Sequence, residues 1–384
     1  MVFDVIVIGG GAAGFFSAIH AAEFYPGSRI LIVEKSPKLL SKVRVSGGGR
    51  CNVTHHCFDS GRLATHYPRG EKALRKVFKE YQAKDTVSWF ASRNVILKAE
   101  EDGRMFPVTD QSETIVNCFL SEARRLNVEI ETRVEVVSIV FNDNIFEVKT
   151  AVGEIYRCRR VIVTTGGNPR QEAYGFLKAL GHSIQKPIPS LFTFNDRDKR
   201  FSDLMGVAVQ NAVVRILTTR FQQSGPLLIT HWGLSGPAVI RLSAWAAEYL
   251  YSVNYDFTAS VSWIGSHQEE SVRQFLMEQK NARSKQRIMG NPLYELPQRL
   301  WTRLCDLAEI PETKTWSDVS HKQVNKLLEY LIRCPFQIRG KTTFKEEFVT
   351  CGGVDLADVN IETMESRKQK GLFFAGEVLN IDGE

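Results

Sequence analysis

Several groups of residues have the types and spacing to do chemistry. The first is Gly9-Gly10-Gly11-Ala12-Ala13-Gly14, which satisfies G-x-G-x-x-G through Gly9, Gly11 and Gly14. Gly9 permits a tight strand-to-helix turn. Gly11 lets backbone approach a diphosphate with no Cβ between them, and Gly14 lets the helix pack on the strand. The diphosphate would rest on free N–H groups around Ala12 and Ala13, at the positive end of a helix dipole. Glu34 stands 20 positions after Gly14, with Lys35 beside it. Its carboxylate is placed to accept hydrogen bonds from both hydroxyls of a ribose and to repel a 2′-phosphate. This unit alone does not separate FAD from NAD.

The second group is Ser46-Gly47-Gly48-Gly49-Arg50-Cys51-Asn52. Arg50 could set a guanidinium beside a carbonyl where reduction of a flavin develops negative charge, or it could simply brace the glycine loop. Cys51 and Cys57 invite comparison with the redox cysteine pair of flavin disulfide reductases. They are one residue too far apart for it, no second G-x-G-x-x-G is present, and packed thiols are the expectation. His55 and His56 fall between them, but the crowding lacks zinc-ligand spacing, so no metal is expected. His231 precedes Gly233-Leu234-Ser235-Gly236-Pro237, and it could exchange a proton near neutral pH or merely stabilise a turn. Phe192, Phe194, Trp232 and Trp245 could line an apolar cavity or belong to a core.

These residues need elements to position them. Residues 3–8 read as a buried parallel strand, the spacing of Phe15, Ala18, Ile19 and Ala22 as a helix, and residues 29–33 as a second strand ending on Glu34. An amphipathic helix is expected over residues 71–90 and another from Ser112 to Leu126, with strands at 128–131, 134–141 and 145–150. Arg160 to Thr165 forms a strand running into Gly166-Gly167. Near the end, Gly371 to Ala375 forms one that delivers Gly376-Glu377 and leads to Asp382. Pro187 and Pro189 mark a change of composition. Short strands follow, then helical patterns at 269–280, 297–308 and 322–333, closed by Pro335. The expected division is 1–188 and 336–384 for a dinucleotide-binding domain, with 189–335 as an inserted β-rich and helical domain.

With 384 residues, 43% hydrophobic and 24% charged, the chain has the composition of a globular enzyme of two or three domains. A net charge of +6 is dispersed, which argues against a nucleic-acid partner. Seven cysteines at irregular spacing suit a reducing compartment, no membrane span is expected, and a cytoplasmic location follows as the default.

The cofactor choice rests on the way distant segments return to one place, as in flavoproteins of the glutathione-reductase type. Ser-Gly-Gly-Gly-Arg-Cys-Asn, Thr230-His231-Trp232-Gly233-Leu234-Ser235-Gly236-Pro237 and Ala375-Gly376-Glu377-Val378-Leu379 together resemble a bacterial flavoprotein family. Its members are known as aminoacetone-oxidase-like or bile-acid-dehydroxylation reductase-like NAD(P)/FAD-dependent enzymes. The resemblance runs the length of the chain. It implies an α/β fold: a glutathione-reductase-type Rossmann-like FAD-binding domain with an inserted β-rich domain plus a helical portion. It also implies FAD contacts at Gly9 to Gly14 and Glu34, with Gly49, Arg50, Cys51 and Asn52 near the flavin. Val136 would meet the adenine, Thr165 and Gly166 would pass under the dinucleotide, and Gly376, Glu377 and Asp382 would hold the ribityl and diphosphate region. Asn380 stands where the family usually has Asp, and the stretch 167–170 is shorter than usual. A further glycine-rich turn and helix would be expected after Glu384.

The function that follows is an FAD-dependent oxidoreductase acting on a small organic substrate. Its electrons would come from a transiently docked NAD(P)H, or pass from the substrate itself to oxygen as in an amine oxidase. His231 and Arg50 are the candidate catalytic residues. The rival readings are an RNA-modifying or RNA-associated flavoprotein, suggested by a pI near 8.9, and a flavin-binding protein without turnover.

Overall fold

The β-branched run Val2–Ile8 has its later residues, Ile6, Val7 and Ile8, in the core. In the computed structural model, which describes residues 2–342 and 349–384, this strand pairs in parallel with Ile30–Glu34 and with Ile155–Val163. Parallel pairing continues outward to Glu129–Thr132 on one side and Leu372–Phe374 on the other. Glu365–Ser366 and Val359–Asn360 close that second edge antiparallel. The hairpin of Val136–Asn142 and Ile145–Thr150 branches from Ile155–Val163 to complete a nine-stranded sheet. The near-continuous apolar character of the central strands is what burial on both faces requires. One face packs on the helices Ala12–Phe24 and Ser112–Arg125 through Phe15, Ile19, Ile115 and Phe119. The other carries Phe146, Val161, Phe176, Leu177 and Phe374.

The chain divides into two compact units, Met1–Pro189 with Lys345–Glu384, and Ser190–Phe344. The second unit is a closed six-stranded barrel. Its order is Thr193–Asp196, Gly233–Ser235, Gln222–Ile229, Ala208–Ile216, Asp256–Ser262 and Cys334–Thr342. The helix Pro237–Trp245 begins on its proline, where a missing N–H costs nothing. The helices Glu269–Ala282, Gln298–Leu307 and His321–Ile332 fall between the last two barrel strands in sequence. Phe192 and Phe194 are core residues of this unit, joined by Trp263, Trp301 and Trp316. Closure of the barrel leaves no free sheet edge.

Two expectations are corrected. The return to the first unit was expected at 336, but Cys334–Thr342 pairs with Asp256–Val261 and closes the barrel, so the return comes later. The single helix expected over 71–90 is two, Glu71–Glu80 and Ala83–Ala91. Tyr81 turns extended, and the Asp85 carboxylate accepts from the Gln82 N–H at 2.9 Å, starting a second helix there.

Candidate functional site

The loop after the first strand is shaped by what its glycines exclude. Gly9 has φ +117°, and a Cβ on it would lie 2.5 Å from the Thr164 carbonyl oxygen. A Cβ on Gly14 would lie 1.9 Å from the Gly9 carbonyl oxygen, so the helix meets the strand at a distance only glycine permits. Thr164 Oγ is 3.0 Å from the carbonyl oxygens of both Ile8 and Gly9, and its one O–H ties the two strand ends together. Gly11 differs from these. It caps the helix with φ −90° and ψ −173°, no side chain caps the first turn, and nothing lies within 4 Å of where its Cβ would be. The first-turn N–H groups around Ala12 and Ala13 therefore face open space at the positive end of the helix.

Glu34 sits at the adjoining strand end. Its Oε2 accepts from the Gly10 N–H at 2.7 Å and its Oε1 from the Ser36 N–H at 2.8 Å. Two backbone donors fix the carboxylate beside the loop, and each oxygen keeps a lone pair for a hydroxyl. Lys35 is exposed next to it. The Val134 N–H donates to the Glu34 carbonyl at 2.9 Å, so the segment leading to Val136 runs beside Glu34. Val136 itself pairs with Thr150.

The later segments arrive at the same loop. Thr165 is exposed after its strand, and Gly166, at φ +72°, has nothing within 4 Å of its Cβ position. Gly167 abuts Thr350, whose buried hydroxyl has no hydrogen-bond partner. The Tyr174 hydroxyl accepts from the Asn168 N–H at 3.0 Å and so fixes this shortened turn. Gly376, at φ +79°, brings its backbone against the first helical turn, where a Cβ would lie 2.9 Å from that of Ala13. Glu377 follows, ion-paired to Lys42 at 2.7 Å. Open backbone at Gly11 and Gly166, helix N–H donors and two carboxylate acceptors are the groups that a dinucleotide with a diphosphate needs. The residues fit FAD.

The triple-glycine segment follows the helix Ser41–Val45. Gly47, Gly48, Gly49 and Cys51 all have positive φ, the last unusual for a residue with a side chain. The Arg50 guanidinium pairs with Glu100 at 2.5 Å and Asp110 at 3.6 Å and lies 4.0 Å over the Phe106 ring. Two carboxylates and a ring thus hold the Arg50 guanidinium beside the loop. Cys51 and Cys57 are buried free thiols, and burial pushes the Cys51 thiol up. Asn52 is exposed. Asp382 is also engaged, as a buried carboxylate bidentate to Arg69. His231 lies in the barrel unit, exposed, with its ring 4.3 Å from that of Trp232 and edge-on to it. The two border a small hollow with Asp196, Lys199 and Ser202. Among the described residues no cluster could hold a metal ion.

The sequence reading missed Lys42, Thr164 and Thr350. Thr164 directly precedes the Thr165 it singled out; nothing local marks the other two, because each meets the loop only through the tertiary fold.

Residues 3–384 match the family described as HI0933-like protein Rossmann domain. The chain belongs to that family. This HI0933-like protein is 30% identical to a ribosomal RNA dihydrouridine synthase of Escherichia coli, over 99% of this chain and 92% of that one. It is 26% identical to a 3-dehydro-bile acid delta(4,6)-reductase of Clostridium scindens, over 98% of this chain and 93% of that one. A 3-ketosteroid-delta4-(5alpha)-dehydrogenase from Rhodococcus jostii shares the fold, with a TM-score of 0.50 and 14% identity over 98% of this chain and 91% of that one. The fold is thus a Rossmann-type FAD-binding domain with a barrel insert, in a family of flavoprotein oxidoreductases. Among the described residues no helix is long and apolar enough to cross a membrane.

Proposed function

We propose that this HI0933-like protein is an FAD-dependent reductase of carbon–carbon double bonds conjugated to a carbonyl. The observation that carries the reading is that the chain, with its FAD-type cradle, is similar over nearly its whole length to two relatives whose names describe one kind of reaction. Dihydrouridine is uridine with the ring double bond next to a carbonyl saturated, and a delta(4,6)-reductase of a 3-dehydro bile acid saturates double bonds conjugated to a ketone. Bound FAD would supply the hydride, received from a transiently docked NAD(P)H, to the carbon β to the carbonyl, and the α-carbon would take a proton.

Within this reading Gly11, Ala12 and Ala13 bind the diphosphate through backbone N–H groups, and Glu34 accepts from the ribose. Thr165, Gly166 and Gly376 give the dinucleotide close backbone. Arg50, Gly49 and Cys51 keep the triple-glycine loop in its left-handed course, and Asp382 ties the last segment to Arg69. His231, an exposed imidazole of the barrel unit, is the proposed proton donor. The carbonyl compound itself is a small molecule in one relative and a base within RNA in the other.

Anaerobic stopped-flow separates the possibilities. FAD reduced by NADH or NADPH should reoxidise on adding a 3-oxo-Δ4 steroid or an unmodified ribosomal RNA transcript, whichever is the substrate. Bleaching of oxidised flavin by aminoacetone in the absence of nicotinamide, with no reoxidation by either acceptor, would reject the reductase reading in favour of an amine oxidase.

A further inference from the structure

We propose that Lys42 is a diphosphate-binding cation of the cofactor site, positioned by Glu377; this rests on the FAD reading above. The diphosphate of a flavin dinucleotide carries two negative charges. The helix Ala12–Phe24 offers free N–H groups and roughly half a positive charge at its start, and its first residues, Ala12, Ala13, Gly14 and Phe15, bring no cationic side chain. A cation at this edge would offset part of the charge that remains.

Lys42 is placed to be one. The segment before it is tied to the loop, because the Leu40 N–H donates to the Gly10 carbonyl at 2.9 Å and the Leu39 side chain packs where a Gly10 Cβ would be. Glu377 approaches from the other side, one residue after Gly376, whose backbone lies against Ala13. The Lys42 ammonium and the Glu377 carboxylate meet at 2.7 Å, although 335 residues separate them in sequence. Arg44, two positions on, is taken by Glu113.

Stability does not account for this pair. The Lys42 and Glu377 side chains are 55% and 35% exposed, and an ion pair that open adds little to stability. As a binding device it has a clear use. The carboxylate draws a long, mobile ammonium to the edge of the loop before any ligand arrives, so less side-chain freedom is lost on binding. Glu377 keeps acceptor capacity for polyol hydroxyls beside it.

The test is titration of the apoprotein with FAD, followed by quenching of flavin fluorescence at about 50 and 300 mM NaCl. Lys42→Gln should raise the Kd at least tenfold at low salt and flatten its salt dependence, while Lys42→Arg stays near wild type. The melting temperature of each apoprotein separates a folding defect from a binding one. Wild-type affinity and salt dependence in a folded Lys42→Gln variant would overturn the proposal and leave the FAD site standing. If the wild type itself takes up no FAD, the cofactor assignment falls, and this inference with it.

Discussion

The carbonyl oxygen of Gly9 lies 1.9 Å from the point a Cβ on Gly14 would occupy, whereas the same point on Gly11 meets nothing. The two glycines should therefore fail differently. Gly14→Ala forces the helix off the strand and should destabilise the protein by about 3 kcal/mol or more. Gly11→Val fits its extended backbone and should cost within about 1 kcal/mol. It should nevertheless abolish FAD retention, because its side chain fills the space left for a diphosphate. Thermal melts of both apoproteins, read with the flavin absorbance of the purified variants, check this. Full yellow colour in Gly11→Val would reject the loop assignment.

The cysteines should be dispensable for electron transfer. Cys51 is buried with its thiol pushed up, so little of it is thiolate at neutral pH. Cys51→Ser and Cys57→Ser should each keep the wild-type rate of flavin reduction within about twofold, an expectation that follows from thiolate being the reactive form. A long-wavelength charge-transfer band on reduction, lost in either variant, would revive a disulfide-reductase mechanism.

Arg69 should matter to folding out of proportion to its place on the chain. The Asp382 carboxylate it holds is completely buried, and a buried charge left without its partner costs about 3–5 kcal/mol. Arg69→Met should lower the unfolding free energy from denaturant titration by that amount, and Arg69→Met with Asp382→Leu should recover much of it. Equal damage from the double variant would mean that the pair contributes through something besides charge.

Acidification should weaken the fold through His182. Its ring is buried, and burial holds its pKa below the ordinary value. Ser366 Oγ already accepts from the N–H groups of Lys368 and Gln369, so its own O–H donates to His182 Nε2 at 2.7 Å. The Nδ1–H donates to the Leu177 carbonyl at 3.1 Å. Both contacts suit the neutral ring. The unfolded chain takes up the proton first, at about pH 6.5. The stabilisation is thus complete above that pH and is lost as pH falls through the lower folded value. Melting temperatures between pH 7.5 and 5 should fall more steeply for wild type than for His182→Gln, and parallel curves would refute this.

Much of the cradle was legible because its chemistry is local. A glycine needed for a turn, a glycine needed for close approach and an acid at the next strand end are each fixed by a few neighbouring residues, and the glycine loop and Glu34 stand where their pattern placed them. The break at Tyr81 and Gln82 was not legible, since apolar spacing carries through it and only the Asp85 bond to Gln82 restarts the helix. The barrel strand 334–342 was misjudged for a related reason. Pro335 reads as a boundary in one dimension, but here it sits in a strand whose partner, Asp256–Val261, lies on the far side of three helices in sequence. Arg50 shows the limit for side chains: its motif signals importance, while its contacts to Glu100, Asp110 and Phe106 could not be read from the sequence.

The first and last strands of the barrel pair with each other, Thr193 opposite Thr342 and Phe194 opposite Lys341. In the sheet unit, Ile184–Ser190 pairs with Val349–Val354. Each unit thus has paired strands next to where the chain leaves it and returns. For the sheet unit, an insertion of some 150 residues closes no wider a gap than a hairpin would, and the entropy of closing a loop grows only slowly with its length. The barrel has a core of its own, so grafting it out at those strands, or joining Ser190 to Val349 by a short linker, would be the least disruptive way to cut this chain in two.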